Sequence, residues 1–162
     1  MKKVLKKAAI LLAILFLAIQ TVRPEKKNAP VAPEKSIHAQ MDVPPNVSKI
    51  LDRACRDCHT NQTRWPWYAD VAPVSWWVID HSTHGREHLN FSAWDEYDRV
   101  QAQQLLIDIC KLTSAGEMPL KSYLLMHRDA QLSKDDVRAL CEWSETQQAK
   151  LAKKPQAGIS NR

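Results

Sequence analysis

The 162-residue chain contains only three glycines, which is too few for the many tight turns of a β-rich fold. It also lacks a glycine-rich phosphate loop, an internal repeat and any alternation of strand and helix patterns. These absences argue against the common nucleotide-binding α/β folds. The predicted fold class is all-α, with one small domain.

Positive charge is scarce outside the N-terminus. Residues 1–27 hold seven of the 23 Lys and Arg residues but one of the 18 acids, so 16 bases and 17 acids remain. A face that binds nucleic acid needs clustered bases that displace counterions, and the body of the chain has no such cluster. We therefore expect no nucleic acid among the partners.

The N-terminus has the pattern of an export signal, because four lysines within the first seven residues precede an apolar stretch over 8–22. That stretch would rise about 22 Å as a helix, which is shorter than the ~30 Å hydrocarbon core and favours a cleaved signal peptide. However, no small-x-small cleavage site follows it, and flanking lysines can lengthen a short span. Residues 1–23 are predicted to be a signal anchor or signal peptide, which gives a membrane-anchored or a soluble periplasmic protein.

The remaining chain divides by composition. Five prolines between residues 24 and 45 predict an extended tether. The folded domain is expected over 46–147 and a polar tail over 148–162. Helical periodicity and capping residues predict helices over 47–58, over 73–89 with a break at Gly85, from a Ser92/Asp95 cap to Gly116, over 123–127, and from a Ser133/Asp136 cap onward.

The motif with the clearest chemistry is Cys55-Arg56-Asp57-Cys58-His59, or C-x-x-C-H. This spacing is typical of c-type haem attachment, in which both thiols bond one edge of the porphyrin and the adjacent histidine binds the iron. An exported location favours it further, because a free exported C-x-x-C pair tends to oxidise. We therefore predict one covalent haem c, held by Cys55 and Cys58 with His59 as the proximal iron ligand.

The two cysteines have three alternative uses. A thiol-disulfide redox motif normally lies in a βαβ setting, which this sequence lacks. A zinc site would need two further ligands, for which His81 and His84 are the candidates, but their spacing differs from that of the usual zinc finger. A purely structural cysteine pair is the remaining alternative.

A longer pattern resembles a known family. The segments are CRDCHTNQTRWPWYADVAPVSWWVIDHSTHGREHLNFSAW and, later, GEMPLKSYLLMHRDAQLS. They look like the small bacterial haem-binding domain family, whose pattern joins CxxCH to WPWY, APVSW, LNFS-x-W and MP-x-x-x-Y-x-x-x-H over roughly residues 45–145. The resemblance implies a membrane-associated or periplasmic monohaem protein with a cytochrome c-like helical fold around its haem.

The second axial ligand of the iron is predicted to be Met118, which lies in a Met-Pro loop far along the chain from the haem motif. A methionine that merely fills the core is the alternative. His127, within the family-like Met-Pro…Tyr…His segment, and His81 are the other candidate ligands.

The surroundings of the haem can also be anticipated. Arg64 and Arg86 are candidates to pair with the haem propionates. Cys110 and Cys141 lie on different predicted helices in an oxidising compartment, which suggests a disulfide, with two buried thiols as the alternative. The walls of the crevice are expected to be aromatic: Trp65, Trp67, Tyr68, Trp76 and Trp77.

The function predicted from these features is a membrane-tethered periplasmic monohaem c-type cytochrome that carries single electrons between periplasmic or membrane redox proteins. A haem-based sensor or small-ligand binder with an exchangeable sixth ligand is the alternative. A peroxidase-like enzyme with His81 or His127 as a distal base is a further possibility.

Overall fold

The computed structural model describes residues 1–153, which are helical and contain no β-strand. The predicted all-α class is confirmed. The polar tail expected from residue 148 begins inside the last helix, and residues 154–162 lie outside the described part. The helices are α1 Lys2–Ile19, α2 Ile37–Gln40, α3 Pro45–Ala54, α4 Arg56–His59, α5 Val74–His88, α6 Arg99–Ser114, α7 Lys121–Leu124 and α8 Lys134–Lys153. Short 3-10 turns span Pro33–Lys35, Trp67–Asp70, Phe91–Glu96 and Arg128–Ala130.

The core lies between α3, α6 and α8. The apolar face predicted for the helix before the cysteines is buried in α3, and Leu106 of α6 and Leu140 of α8 are 0% exposed. Burying a leucine side chain contributes about 1.5 to 3 kcal/mol, so these positions hold the three helices together. The core residues are Ile37, Val47, Ile50, Leu51, Phe91, Trp94, Ala102, Leu106, Ile109, Leu140 and Trp143.

Part of the segment assigned to a tether belongs to the folded domain. Ile37 is 1% exposed and packs in the core. The Asp42 carbonyl accepts hydrogen bonds from Trp143 Nε1 at 2.9 Å and Gln147 Nε2 at 3.0 Å. Residues 37 and 42, which lie in the predicted extended tether, thus contact the folded domain, and proline content alone does not reveal these contacts.

The chain that follows α1 also lies on the domain. The Gln20 side-chain amide donates to the Ala72 carbonyl at 3.0 Å and accepts from the Ala72 amide at 2.9 Å. Trp76 Nε1 donates to the Val22 carbonyl at 2.7 Å, and Lys26 forms an ion pair with Asp70. The exit from α1 is thus fixed against the domain.

None of the residues of α1 is buried. Within residues 1–153, no helix combines the length and the apolar character that crossing a membrane would require. Four of the 18 residues of α1 are lysines, so its uncharged part is shorter than the helix.

The capping contacts of two helices can be compared with the sequence prediction. Ser133 and Asp136 bond each other's backbone amides, at 2.8 and 3.1 Å, as predicted for the start of α8. The start predicted at Ser92 was wrong, because its amide is bound by the Asn90 side chain and its hydroxyl accepts from the Asn61 amide. The helix begins instead after Asp98, which forms a capping box with Gln101.

The end of α6 has the predicted glycine cap, whereas the next short helix lies earlier in the chain than expected. Gly116 follows α6 with a φ of 68°, a left-handed conformation that suits glycine, as its predicted capping role requires. The helix expected over 123–127 spans Lys121–Leu124 instead and ends before His127.

A disulfide joins α6 to α8 between Cys110 and Cys141, whose Cα atoms are 4.7 Å apart. The bridge closes a loop with a sequence separation of 31 residues and links two helices that already share the core. Such a cross-link stabilises mainly by restricting the unfolded chain.

The double variant Cys110→Ala/Cys141→Ala is expected to lower the free energy of unfolding by about 3 to 4 kcal/mol, from the loop-closure entropy. Urea denaturation of the haem-loaded protein measures this. Ser114→Ala is the matched control, since its hydroxyl lies 3.3 Å from Cys141 Sγ and its loss leaves the bridge intact. A loss of less than about 1 kcal/mol in the double variant contradicts the prediction.

Candidate functional site

The C-x-x-C-H motif forms a tight turn at the end of α3. Cys55 separates α3 from the four-residue helix α4, and the His59 amide donates to the Cys55 carbonyl at 3.0 Å. Neither Cys55 nor Cys58 is in a disulfide. The turn therefore presents two reduced thiols and an imidazole from one short piece of backbone.

The His59 ring is fixed by the end of α5. Its Nδ1–H donates to the Gly85 and Leu89 carbonyls, each at 3.0 Å. This tautomer leaves Nε2 with the lone pair that a metal ligand needs. Burial lowers the pKa of His59, although the two carbonyl contacts partly offset that effect. The ring is therefore neutral at neutral pH.

The two thiols are protonated in the same environment. Burial, followed by the charge of neighbouring Cys58, raises the pKa of Cys55 to about 12. Burial also raises the pKa of Cys58. Because the thiolate is the form that reacts with disulfides and oxidants, the raised pKa values make both cysteines less reactive towards them.

Helix α5 passes very close to this turn at Gly85. A Cβ atom at position 85 would lie 2.7 Å from the Cys58 carbonyl oxygen and 3.2 Å from Cys58 Cβ. The break predicted at Gly85 was wrong, since α5 continues through it to His88. The glycine is needed for close approach, and this approach brings the Gly85 and Leu89 carbonyls to His59.

A mostly apolar cavity of about 310 Å³ lies beside the turn. This volume is at the lower end of the range for ligand sites. Three of the five aromatic residues expected at the crevice line it, namely Trp67, Tyr68 and Trp77. Cys58, Arg64, Val74, His81, Tyr123, Met126 and His127 are among the other lining residues.

The predicted site residues are placed unequally around this cavity. Cys58 and His127 line it, whereas Cys55, His59 and Met118 are not among its lining residues. Cys55 and His59 share the turn with Cys58, and the His59 ring faces Phe91 with the ring centroids 6.1 Å apart. The structure thus brings His127, and not Met118, to the wall that Cys58 borders.

His127 is held by two tyrosines. Its ring stacks on Tyr123 with centroids 4.1 Å apart and planes 11° from parallel. Its Nδ1 lies 3.3 Å from the Tyr123 carbonyl and 3.4 Å from the Tyr68 hydroxyl. His81, the other histidine on the cavity, donates from Nδ1 to the Trp77 carbonyl at 2.9 Å.

The two arginines proposed for the propionates already have protein partners. Arg64 Nε lies 3.2 Å from Asp57 Oδ1, and its Nη2 donates to the Asp52 carbonyl at 3.0 Å. Arg86 Nη1 donates to the Thr63 hydroxyl at 2.8 Å. Arg64 also lines the cavity, so pairing with a haem propionate stays a prediction for both arginines.

Two residues of the site were missed from the sequence, Asp57 and Tyr123. The Tyr123 hydroxyl donates to Asp57 Oδ2 at 2.9 Å. Burial, followed by the Asp57 charge, raises the pKa of Tyr123. The available signals were the position of Asp57 between the cysteines and of Tyr123 in the Met-Pro…Tyr…His segment.

The zinc alternative finds no support in the part of the chain that is described, where no cluster of three or more His, Cys, Asp or Glu side chains could hold a metal ion. His84 pairs instead with Asp80, at 3.3 Å. The donor set at the turn is one neutral imidazole and two thiols beside an apolar cavity. That chemistry fits a haem, which supplies its own four equatorial nitrogens.

Comparison with known proteins agrees with this fit. A family model described as a haem-binding domain matches residues 14–146, which is most of the chain. Neither the curated proteins nor the solved structures gave a match.

Gly85→Ala is expected to destabilise the protein by about 1 to 3 kcal/mol, as overpacking against a backbone carbonyl does, despite the better helix propensity of alanine. It should also lower the haem content of the purified protein, measured as the pyridine haemochrome. Thr83→Ala, exposed on the same helix, is the control. Unchanged stability and haem content in Gly85→Ala would show that the close approach is unimportant.

Proposed function

We propose a function from one premise: the chain belongs to the haem-binding domain family. The proposal is an exported c-type cytochrome that carries single electrons, with one haem bound covalently through Cys55 and Cys58. The observation that supports it best is the geometry of His59. Its Nδ1–H donates to two carbonyls, which leaves Nε2 available to a metal, and two free thiols lie in the same turn.

His127, in preference to Met118, is the residue that would bind the haem iron together with His59. His127 lines the cavity beside Cys58. Its Nδ1 faces the Tyr123 carbonyl at 3.3 Å, so that Nε2 is the nitrogen available to a metal, as it is in His59. Met118 has the softer donor atom but is not among the lining residues.

When bound, the haem iron supplies the one-electron couple between its ferric and ferrous states. The protein would contribute two imidazoles in a defined tautomer and an apolar wall. Trp67, Trp77 and Val74 form part of that wall and are 71%, 44% and 45% exposed. A haem bound against these side chains would lose contact with water on that side, which disfavours the additional positive charge of the ferric state and raises the reduction potential.

A sensor or small-ligand binder is the second candidate, and one observation favours it. The chain just before His127 is exposed, with Leu125 76% and Met126 58% exposed. The contacts at His127 Nδ1, at 3.3 and 3.4 Å, are longer than those at His59. A ligand held in this way can be displaced more easily than His59.

The purified protein is expected to give the pyridine haemochrome spectrum of a c-type haem, and Cys55→Ser/Cys58→Ser to lose covalent haem. Absence of covalent haem from the wild type overturns the proposal. Replacement of His127 by alanine should open a coordination position, so that the reduced protein binds carbon monoxide readily.

Met118→Ala is the matched control for the axial ligand, and it should keep the wild-type absorption spectrum. The opposite result, a changed spectrum in Met118→Ala and an unchanged one in His127→Ala, would restore Met118 as the ligand. Ready carbon monoxide binding by the wild type itself would favour the sensor over the electron carrier.

Export by the N-terminal segment is part of the proposal. The lysines and the apolar stretch of α1 support its use as a signal. Gln20 and Val22, which contact Ala72 and Trp76, support retention of the segment next to α1 in the mature protein. Although α1 does not have the length and apolar character of a membrane span, its lysines could reach the membrane interface beyond the apolar stretch. A retained α1 would then hold the domain at the periplasmic side of the membrane, where its partners would be redox proteins.

Fusion of residues 1–45 to alkaline phosphatase, which is active only after export, should give active enzyme. The same fusion with Leu12→Arg and Leu15→Arg is the control and should be inactive. An inactive wild-type fusion contradicts export. The intact mass of the purified mature protein then distinguishes retention of α1 from cleavage.

A further inference from the structure

Asp57 lies between the two cysteines, and its carboxylate is almost enclosed. The side chain is 12% exposed. Oδ1 accepts hydrogen bonds from the backbone amide and Nε of Arg64, both at 3.2 Å, and Oδ2 accepts from the Tyr123 hydroxyl at 2.9 Å. Both oxygens are therefore used, and one of them reaches a residue 66 positions further along the chain.

Tyr123 contacts the His127 imidazole in two ways. Its ring stacks on the imidazole face, with centroids 4.1 Å apart and planes 11° from parallel, which restricts the tilt of the imidazole. Its carbonyl lies 3.3 Å from Nδ1, which restricts rotation of the imidazole in its own plane. The far end of the same tyrosine is anchored by Asp57.

We infer that Asp57 and Tyr123 are positioning residues for His127, so that the turn that binds the haem covalently also sets how firmly the opposite axial ligand is held. The inference rests on the proposed ligation of iron by His127. It assigns a specific role to Asp57, one of the two residues that the C-x-x-C-H pattern leaves variable. Removing groups that orient a metal ligand typically changes metal affinity about 10- to 100-fold.

The test is a titration of the full-length ferric holoprotein with free imidazole, followed by absorption spectroscopy. Free imidazole must displace His127, so its affinity rises by the factor by which the bond from His127 to iron is weakened. Tyr123→Phe keeps the stacked ring and removes only the hydroxyl, and should bind imidazole about tenfold more tightly than the wild type. Tyr123→Leu also removes the ring and should approach about 100-fold.

Two further variants separate positioning from general loss of stability. Ile109→Val lies in α6, is 8% exposed and does not line the cavity. It should lower stability without changing the affinity for imidazole. Asp57→Ala should raise the affinity for imidazole at least as much as Tyr123→Phe, because it removes their shared hydrogen bond and also the acceptor of Arg64. The Asp57→Ala/Tyr123→Phe double variant should equal Asp57→Ala, since the shared hydrogen bond is already lost there. If Asp57→Ala fails to acquire haem, Tyr123→Phe decides alone.

His127→Ala distinguishes failure of the proposed ligation by His127 from failure of the positioning by Asp57 and Tyr123. If it binds imidazole no more tightly than the wild type, His127 is not the ligand, and both the ligation and the positioning are wrong. If His127→Ala binds imidazole much more tightly while Tyr123→Phe equals the wild type, the ligand assignment stands and the positioning inference is overturned. An increased affinity in Ile109→Val equal to that in Tyr123→Phe also overturns it.

Discussion

The contact between α5 and the Cys58 backbone controls the geometry of the candidate site. With a glycine at position 85, α5 approaches so closely that any Cβ there would meet the Cys58 carbonyl at 2.7 Å. The C-terminal end of α5 then faces His59. The Gly85 carbonyl also accepts from the Leu89 amide at 2.9 Å and uses its second lone pair for His59. Both carbonyls lie at the negative end of the helix dipole, which makes them good acceptors for Nδ1–H. The same contacts favour a protonated ring, but burial outweighs them and lowers the pKa of His59.

The two sides of the cavity come from distant parts of the chain, and a few polar contacts fix their relative positions. Asp57 links the turn to Tyr123. Arg53, on α3, donates to the Gln131 carbonyl and forms an ion pair with Asp136, each at 3.0 Å, which fixes the chain just after His127. Elsewhere in the domain, the core and the Cys110–Cys141 disulfide hold α6 to α8. The site therefore rests on a stable pair of helices, while the segment with His127 depends on its side-chain contacts.

The parts of the structure that the sequence predicted were governed by local rules. The buried face of α3 followed from apolar spacing, and the start of α8 from Ser133 and Asp136, whose partners are three residues apart. The failures involve distant partners. Ser92 has the residues of a cap, but Asn61 and Asn90 bind its hydroxyl and amide. Gly85 has the composition of a break, but its role depends on Cys58, 27 positions earlier, and no periodicity reveals that proximity.

The candidate site divides in the same way. Cys55, Cys58 and His59 could be proposed from the sequence because they lie within five consecutive residues whose spacing is typical of haem attachment. Asp57 and Tyr123 were missed because their hydrogen bond exists only after the chain has folded. The sequence predicts His127 only as an alternative to Met118. The structure distinguishes the two candidates by position, since His127 lines the cavity and Met118 is not among its lining residues.

The two histidines differ in how they are held, and this difference bears on the choice between an electron carrier and a sensor. His59 makes two carbonyl contacts at 3.0 Å, whereas His127 makes one at 3.3 Å and lies on a segment with exposed neighbours. An electron carrier functions best when both axial ligands stay in place as the iron changes charge, since little then has to rearrange. The stacked Tyr123 ring restrains His127 and is itself held by Asp57, which lies in the same turn as His59. The proposed carrier thus depends on the 2.9 Å hydrogen bond between Asp57 and Tyr123, because this bond connects the less firmly held His127 to the turn that contains His59.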